Sequence, residues 1–151
     1  MTRRLVASLI AALMLAACAH EGGSAPPGMT WSLTSTKEEG SKLGYGAPDT
    51  DDLVLMLVCQ PKSGQVQVWL MGPAAEKPTP LVLSSGGRAA RVDGRSDGDG
   101  YEALHATVPA SDAVFTGFAS TGTLGFSVEG RRGSLPGAGA NAHRFVESCR
   151  S

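Results

Sequence analysis

With 151 residues, a formal charge of −1 and charged residues at 18%, the chain suits one domain with a modest core and offers no general electrostatic attraction for nucleic acid or anionic membrane. Its 20 glycines and 9 prolines are scattered without period, which excludes a collagen-like chain. Beyond the N-terminal segment no apolar run reaches the roughly 17–25 residues that a membrane-spanning helix needs.

Met1-Thr2-Arg3-Arg4 is a short positive segment, and Leu5 to Ala17 is an uncharged, mostly apolar run of 13 residues. Together they read as the n-region and h-region of an export signal over residues 1–17. The run ends in Leu15-Ala16-Ala17-Cys18, which resembles the lipobox of bacterial lipoproteins. The resemblance implies a diacylglycerol on the Cys18 thiol, cleavage before Cys18 and acylation of its new amino group. Several acyl chains, each gaining about 0.8 kcal/mol per buried CH₂, make such an anchor effectively permanent. Ala19, in place of Asp, implies sorting to the outer membrane, facing the periplasm. The alternative is an ordinary secreted protein with a cysteine close to its cleavage point.

Cleavage leaves 134 residues, Cys18 to Ser151, and removal of Arg3 and Arg4 leaves 11 basic against 14 acidic residues, a charge of −3. Residues 18–29 then comprise the lipidated N-terminus and a flexible tether, since AHEGGSAPPGM is rich in Gly, Pro and small residues. Residues 30–151 form a single β-rich domain. With Cys18 consumed by lipid, Cys59 and Cys149 remain, an even pair in an oxidising compartment, and a disulfide between them is expected. Two buried thiols or an intermolecular bridge are the other arrangements open to them. No CxxC occurs, and neither cysteine has a second Cys or a His at ligand spacing, so no metal or cofactor is expected.

Trp31 to Thr36 alternates at its start and predicts a first strand. Lys37 to Asp52 reads as a loop with a short extended piece at Leu43-Gly44-Tyr45-Gly46. The continuous run Leu53 to Cys59 (LVLMLVC) predicts a central strand covered on both faces. A turn at Gln60 to Gly64 makes Gln65 to Met71 its hairpin partner, with Val66, Val68 and Leu70 on one face and Trp69 and Met71 on the other. Leu81 to Leu83 and Ala89 to Asp93 form a shorter hairpin. Tyr101 to Val108 and Thr123 to Glu129 complete the strands, the latter with Leu124, Phe126 and Val128 inward.

Two segments leave the period-2 pattern. Ser111 or Asp112 caps a helix through Ser120 that stops near Gly122, with Phe115 and Phe118 on one face. Asn141 to Arg150 carries Ala142, Phe145, Val146 and Cys149 at i, i+3, i+4 and i+7, an amphipathic C-terminal helix. The predicted fold is mainly β (α+β): an antiparallel sheet or small β-sandwich with a short helix near 112–120 and a C-terminal helix near 141–150. The strand ending in Cys59, the V-x-V-x-L strand after it, and the final helix with Phe145 and Cys149 resemble small periplasmic proteins. These are the type VI secretion-associated VasI-type proteins and the invasion-associated locus B proteins, whose additional cysteines this chain lacks. The resemblance implies a non-catalytic module of the export compartment.

Catalytic patterns fall short. Gly133-Ser134-Leu135-Pro136-Gly137 misses the GxSxG spacing because Arg132 stands two before Ser134. His20 falls in the tether, His105 on a strand and His143 on the last helix, each read as structural or exposed. Asp93, Asp97 and Asp99 crowd one loop, yet an EF-hand count from Asp97 meets Glu102 where Gly is required, so a solvated hairpin loop is expected. Asp49, Asp51 and Asp52 read as a solvated approach to a strand. No phosphate-binding Gly-rich loop is present. The expected function is therefore non-enzymatic, an envelope lipoprotein acting as a protein-binding or structural module. The alternative is an inhibitor of a hydrolase such as lysozyme, for which Gly98-Asp99-Gly100-Tyr101 is similar to the Ser-Gly-x-x-Tyr stretch of known inhibitors. A Cys18→Ala variant is expected to leave the membrane fraction on cell fractionation; full retention there would remove the lipid anchor from consideration.

Overall fold

The computed structural model describes residues 27–72, 74–96 and 102–150; the signal segment, Cys18 and most of the tether lie outside these. The described elements run β1 (Thr30–Thr36), β2 (Gly40–Gly46), β3 (Leu53–Cys59), β4 (Gln65–Met71), β5 (Thr79–Ser85), β6 (Arg88–Gly94), β7 (Ala103–Pro109), α1 (Ala113–Thr121), β8 (Leu124–Val128), β9 (Arg131–Leu135) and α2 (Ala140–Arg150). They build two antiparallel sheets, ordered β1-β2-β3-β4-β7 and β6-β5-β8-β9. The protein is mainly β with one short and one C-terminal helix, as the alternation and the two helical stretches predict.

The apolar run of β3 takes the middle of the larger sheet. Leu55, Leu57 and Cys59 turn inward and are buried, beside Val66, Val68 and Leu70 of β4. The expectation that β3 is covered on both faces needs correction. Leu53, Met56 and Val58 point away from the core and are only half-buried, with no described helix or strand packed over them. A hydrophobic run marks an apolar environment but does not say what supplies it.

The region read as a loop between Lys37 and Asp52 holds a full strand, β2. Its alternation is hard to see because Gly40, Gly44 and Gly46 occupy every outward position but one, while Ser41, Leu43 and Tyr45 are buried inward. Leu53 lies across the space those glycines leave: a Cβ on Gly44 would sit 3.2 Å from its Cδ2. The extra strand β9 was equally hidden, since Leu135 is its one buried side chain. Strand β5 runs beyond its apolar triplet because polar ends are satisfied: the buried Ser85 donates through Oγ to the Thr123 carbonyl at 2.6 Å.

The sheets adjoin at one corner, where backbone groups of Arg95 and His105 pair reciprocally at 2.8 and 2.9 Å. Away from that corner they are separated by the helices. Helix α1 starts at Asp112, whose carboxylate accepts from the Val114 amide at 2.9 Å, and stops at Gly122 in the left-handed conformation. It packs on β5 and β6, and α2 packs on α1, β1 and β2. Phe115, Phe118 and Phe145, all fully buried, fill the wedge. Arg150 ties the helices together, donating from Nε to the Ala110 carbonyl and from Nη2 to Thr116 Oγ1, both at 2.9 Å.

Cys59, the last residue of β3, and Cys149 of α2 lie at disulfide distance, with Cα atoms 5.8 Å apart and a sequence separation of 90. The turn after β3 joins the same knot. The Gly64 amide donates to the Cys149 carbonyl, and the Ala110 amide donates to the Gly64 carbonyl. Closing a loop of this length restricts the unfolded chain by about 4–5 kcal/mol in the chain-entropy account. The Cys59→Ala/Cys149→Ala variant is therefore expected to lose about that much stability in urea unfolding at neutral pH, where a loss below about 1 kcal/mol would refute a structural bridge. Gly117 faces the Ser85 carbonyl so closely that a Cβ has no room. Gly117→Ala is expected to cost about 1–3 kcal/mol, measured by the same unfolding curve.

Candidate functional site

Two features lie outside the close-packed core. The first is the outer face of the five-stranded sheet. Strand register places Ser32, Gly44, Met56, Trp69 and His105 in one row across all five strands. Trp69 and His105 stack at 5.0 Å between centroids with an interplanar angle of 23°. Leu53 and Val58 flank Met56, so an apolar stripe with an aromatic centre faces outward. Each of these apolar side chains is half-buried by its in-plane neighbours rather than by an element above it. The alternation of β4 points to part of this stripe at Trp69, while Met71, at the end of the same strand, borders the cleft.

The second feature is a cleft of about 720 Å³ between the sheets. The helices and the cysteine pair sit where β3 ends, β4 begins and β5 ends. The cleft opens at the other end, where β3 and β5 begin and β4 and β8 end. Its floor is made by Leu70, Leu104 and Val128, with Val54 and Phe126 half-exposed along the walls. Phe126 lies against Gly133 of β9, where any side chain would collide with the ring. Arg131, on the same inward row as Gly133, sends its guanidinium over Gly72 at the end of β4. Arg132, Lys77, Glu76 and Glu129 complete the charged rim. No short motif announces this cleft, because its residues come from six strands and the segment after β4.

The residues singled out from sequence are dispersed. Cys59 and Cys149 come together, and Cys18 lies outside the described residues, as do His20, Asp97, Asp99 and the whole Gly98–Tyr101 stretch. Asp93 is on β6, and Ser134 is an exposed residue within β9 rather than at a sharp turn. His143 is exposed on α2, and His105 stacks on Trp69. Asp49, Asp51 and Asp52 are exposed in a turn closed by Thr50, whose hydroxyl donates to the Ala47 carbonyl and accepts from the Asp52 amide. Among the described residues no three His, Cys, Asp or Glu side chains gather as a metal site would require.

Compared with known proteins, the chain matches no family model, no curated protein and no solved structure. The space at Gly133 is the tightest constraint on the cleft wall. Gly133→Ala is expected to displace the Phe126 ring and lower stability by about 1–3 kcal/mol, read from denaturant unfolding; an unchanged midpoint would mean that the ring relaxes freely into the cleft.

Proposed function

We propose that the chain is a non-enzymatic lipoprotein of the bacterial cell envelope, held by Cys18 in the outer membrane and facing the periplasm. There it binds a neighbouring envelope protein through the outer face of the five-stranded sheet. The observation that carries the binding role is the outward stripe of Leu53, Met56, Val58 and Trp69. Contiguous apolar surface on the outside of a small domain marks an interaction site, and Trp is among the residues that dominate such contacts. The flatness of the stripe supports a macromolecular partner, since a sheet face offers area rather than an enclosing pocket.

The anchor and the cysteine pair support the location. A bridge spanning 90 residues suits a chain that folds where thiols oxidise. Pro27 and Gly28 are exposed, and Met29 packs against the core just before the edge strand β1 begins at Thr30. A lipid-bound N-terminus therefore attaches without disturbing either sheet.

A photo-crosslinking residue at position 69 of the lipidated chain, in its own envelope, tests this reading. A discrete adduct from position 69, absent when the probe replaces the exposed Arg91 of the other sheet, is the expected outcome. Equal labelling from both positions, or none from position 69, would overturn it.

A further inference from the structure

The cleft at the end opposite the helices combines an apolar interior with a rim on which positive charge prevails. Three cations, Lys77, Arg131 and Arg132, stand there against two carboxylates, Glu76 and Glu129. Among the described residues, ion pairs join Glu39 to Lys42 and Glu147 to Arg150, and the rim charges take part in neither. Arg131 is the best placed of them. It lies on the inward row of β9, beside Val128, and its guanidinium reaches across the mouth toward Gly72. Glu129, by contrast, stands at the exposed turn between β8 and β9 with φ of 47°.

The interior has the opposite chemistry. Below the rim the cleft is lined by Val54, Leu70, Leu104 and Phe126, without a charged side chain among them. Its volume, about 720 Å³, falls within the roughly 300–1,000 Å³ of small-molecule sites. An apolar floor beneath a guanidinium fits a molecule that is apolar along its length and anionic at one end, because the planar fork of arginine holds a carboxylate or phosphate by paired hydrogen bonds.

We infer that this cleft binds a single-chain amphipathic anion, its alkyl chain along Val54, Leu70 and Phe126 and its head group at Arg131. The inference goes beyond the outer-face reading, as the two surfaces share none of the residues on which either rests. Failure of one leaves the other standing.

The test uses the full chain carrying Cys18→Ala, so that its own lipid does not compete, titrated below their micelle-forming ranges with dodecanoate, dodecyl phosphate, dodecylamine and dodecanol. Titration calorimetry is expected to give one site for at least one of the two anions, with the carboxylate and phosphate arms separating a fatty acid from a phospholipid source. Phe126→Arg is expected to abolish binding. Arg131→Gln is expected to weaken it roughly tenfold while leaving dodecanol unchanged. Far-UV circular dichroism and retention of the Cys59–Cys149 bridge establish that the variants are folded. No binding of either anion, equal binding of dodecylamine, or anion binding insensitive to Phe126→Arg in a folded variant would overturn the inference.

Discussion

Cys149 sits on the buried stripe of α2 and meets Cys59 where the central strand of the larger sheet ends. Much else follows from that junction. Because Cys59 shares the inward row of β3 with Leu55 and Leu57, the helix is drawn to the buried face of the sheet rather than to its edge. Phe145 and Val146 then fall into the space between the sheets. Ser148 of the same helix donates to the buried Ser41 hydroxyl at 2.9 Å, so the polar start of β2 is satisfied by the element that covers it. The turn after β3 and the start of α1 attach to the same point through Gly64 and Ala110.

The result is a sandwich with unequal ends. At the helical end three phenylalanines, two helices and a covalent link exclude solvent. At the other, the sheets are held by strand packing and the β6–β7 corner alone, and the gap between them stays open as a cleft. Rigidity at one end and an unfilled interior at the other is an arrangement that suits recognition, because the cleft floor of Leu70, Leu104 and Val128 is held in place as part of the core. The same division holds across the large sheet. Its inward face is committed to the core, and its outward face keeps an apolar stripe that folding leaves unused.

Most of the fold was legible in the sequence wherever one periodicity dominated. The seven apolar residues of β3, the alternation of β4 and β8, and the i, i+3, i+4, i+7 spacing of α2 each carry enough burial to determine the element. Asp112 and Gly122 marked the ends of α1 through capping chemistry. Strands β2 and β9 were obscured for a shared physical reason. Each leaves glycine where a neighbour's side chain must lie, Leu53 over Gly44 and Phe126 over Gly133, so the residue that reveals the strand belongs to another segment. Of the sites, only the cysteine pairing was legible, since parity and compartment limit the choices. The cleft arises from register between distant strands, which a single sequence does not encode locally.

The two tryptophans occupy the two halves of this division. Trp31 is buried, donates from its indole nitrogen to the Pro136 carbonyl at 2.9 Å, and leans on Tyr45 and Phe118 at 5.2 and 5.4 Å. Trp69 is half-exposed on the opposite face of the same sheet, stacked on an imidazole. Light absorbed by the protein is therefore emitted from two unlike surroundings, a dry one inside the wedge and a moist one on the outward face. A single emission spectrum holds both, and a quencher dissolved in water reaches one long before the other. The molecule thus carries its own pair of optical gauges, one for the integrity of the interior and one for whatever settles on its surface.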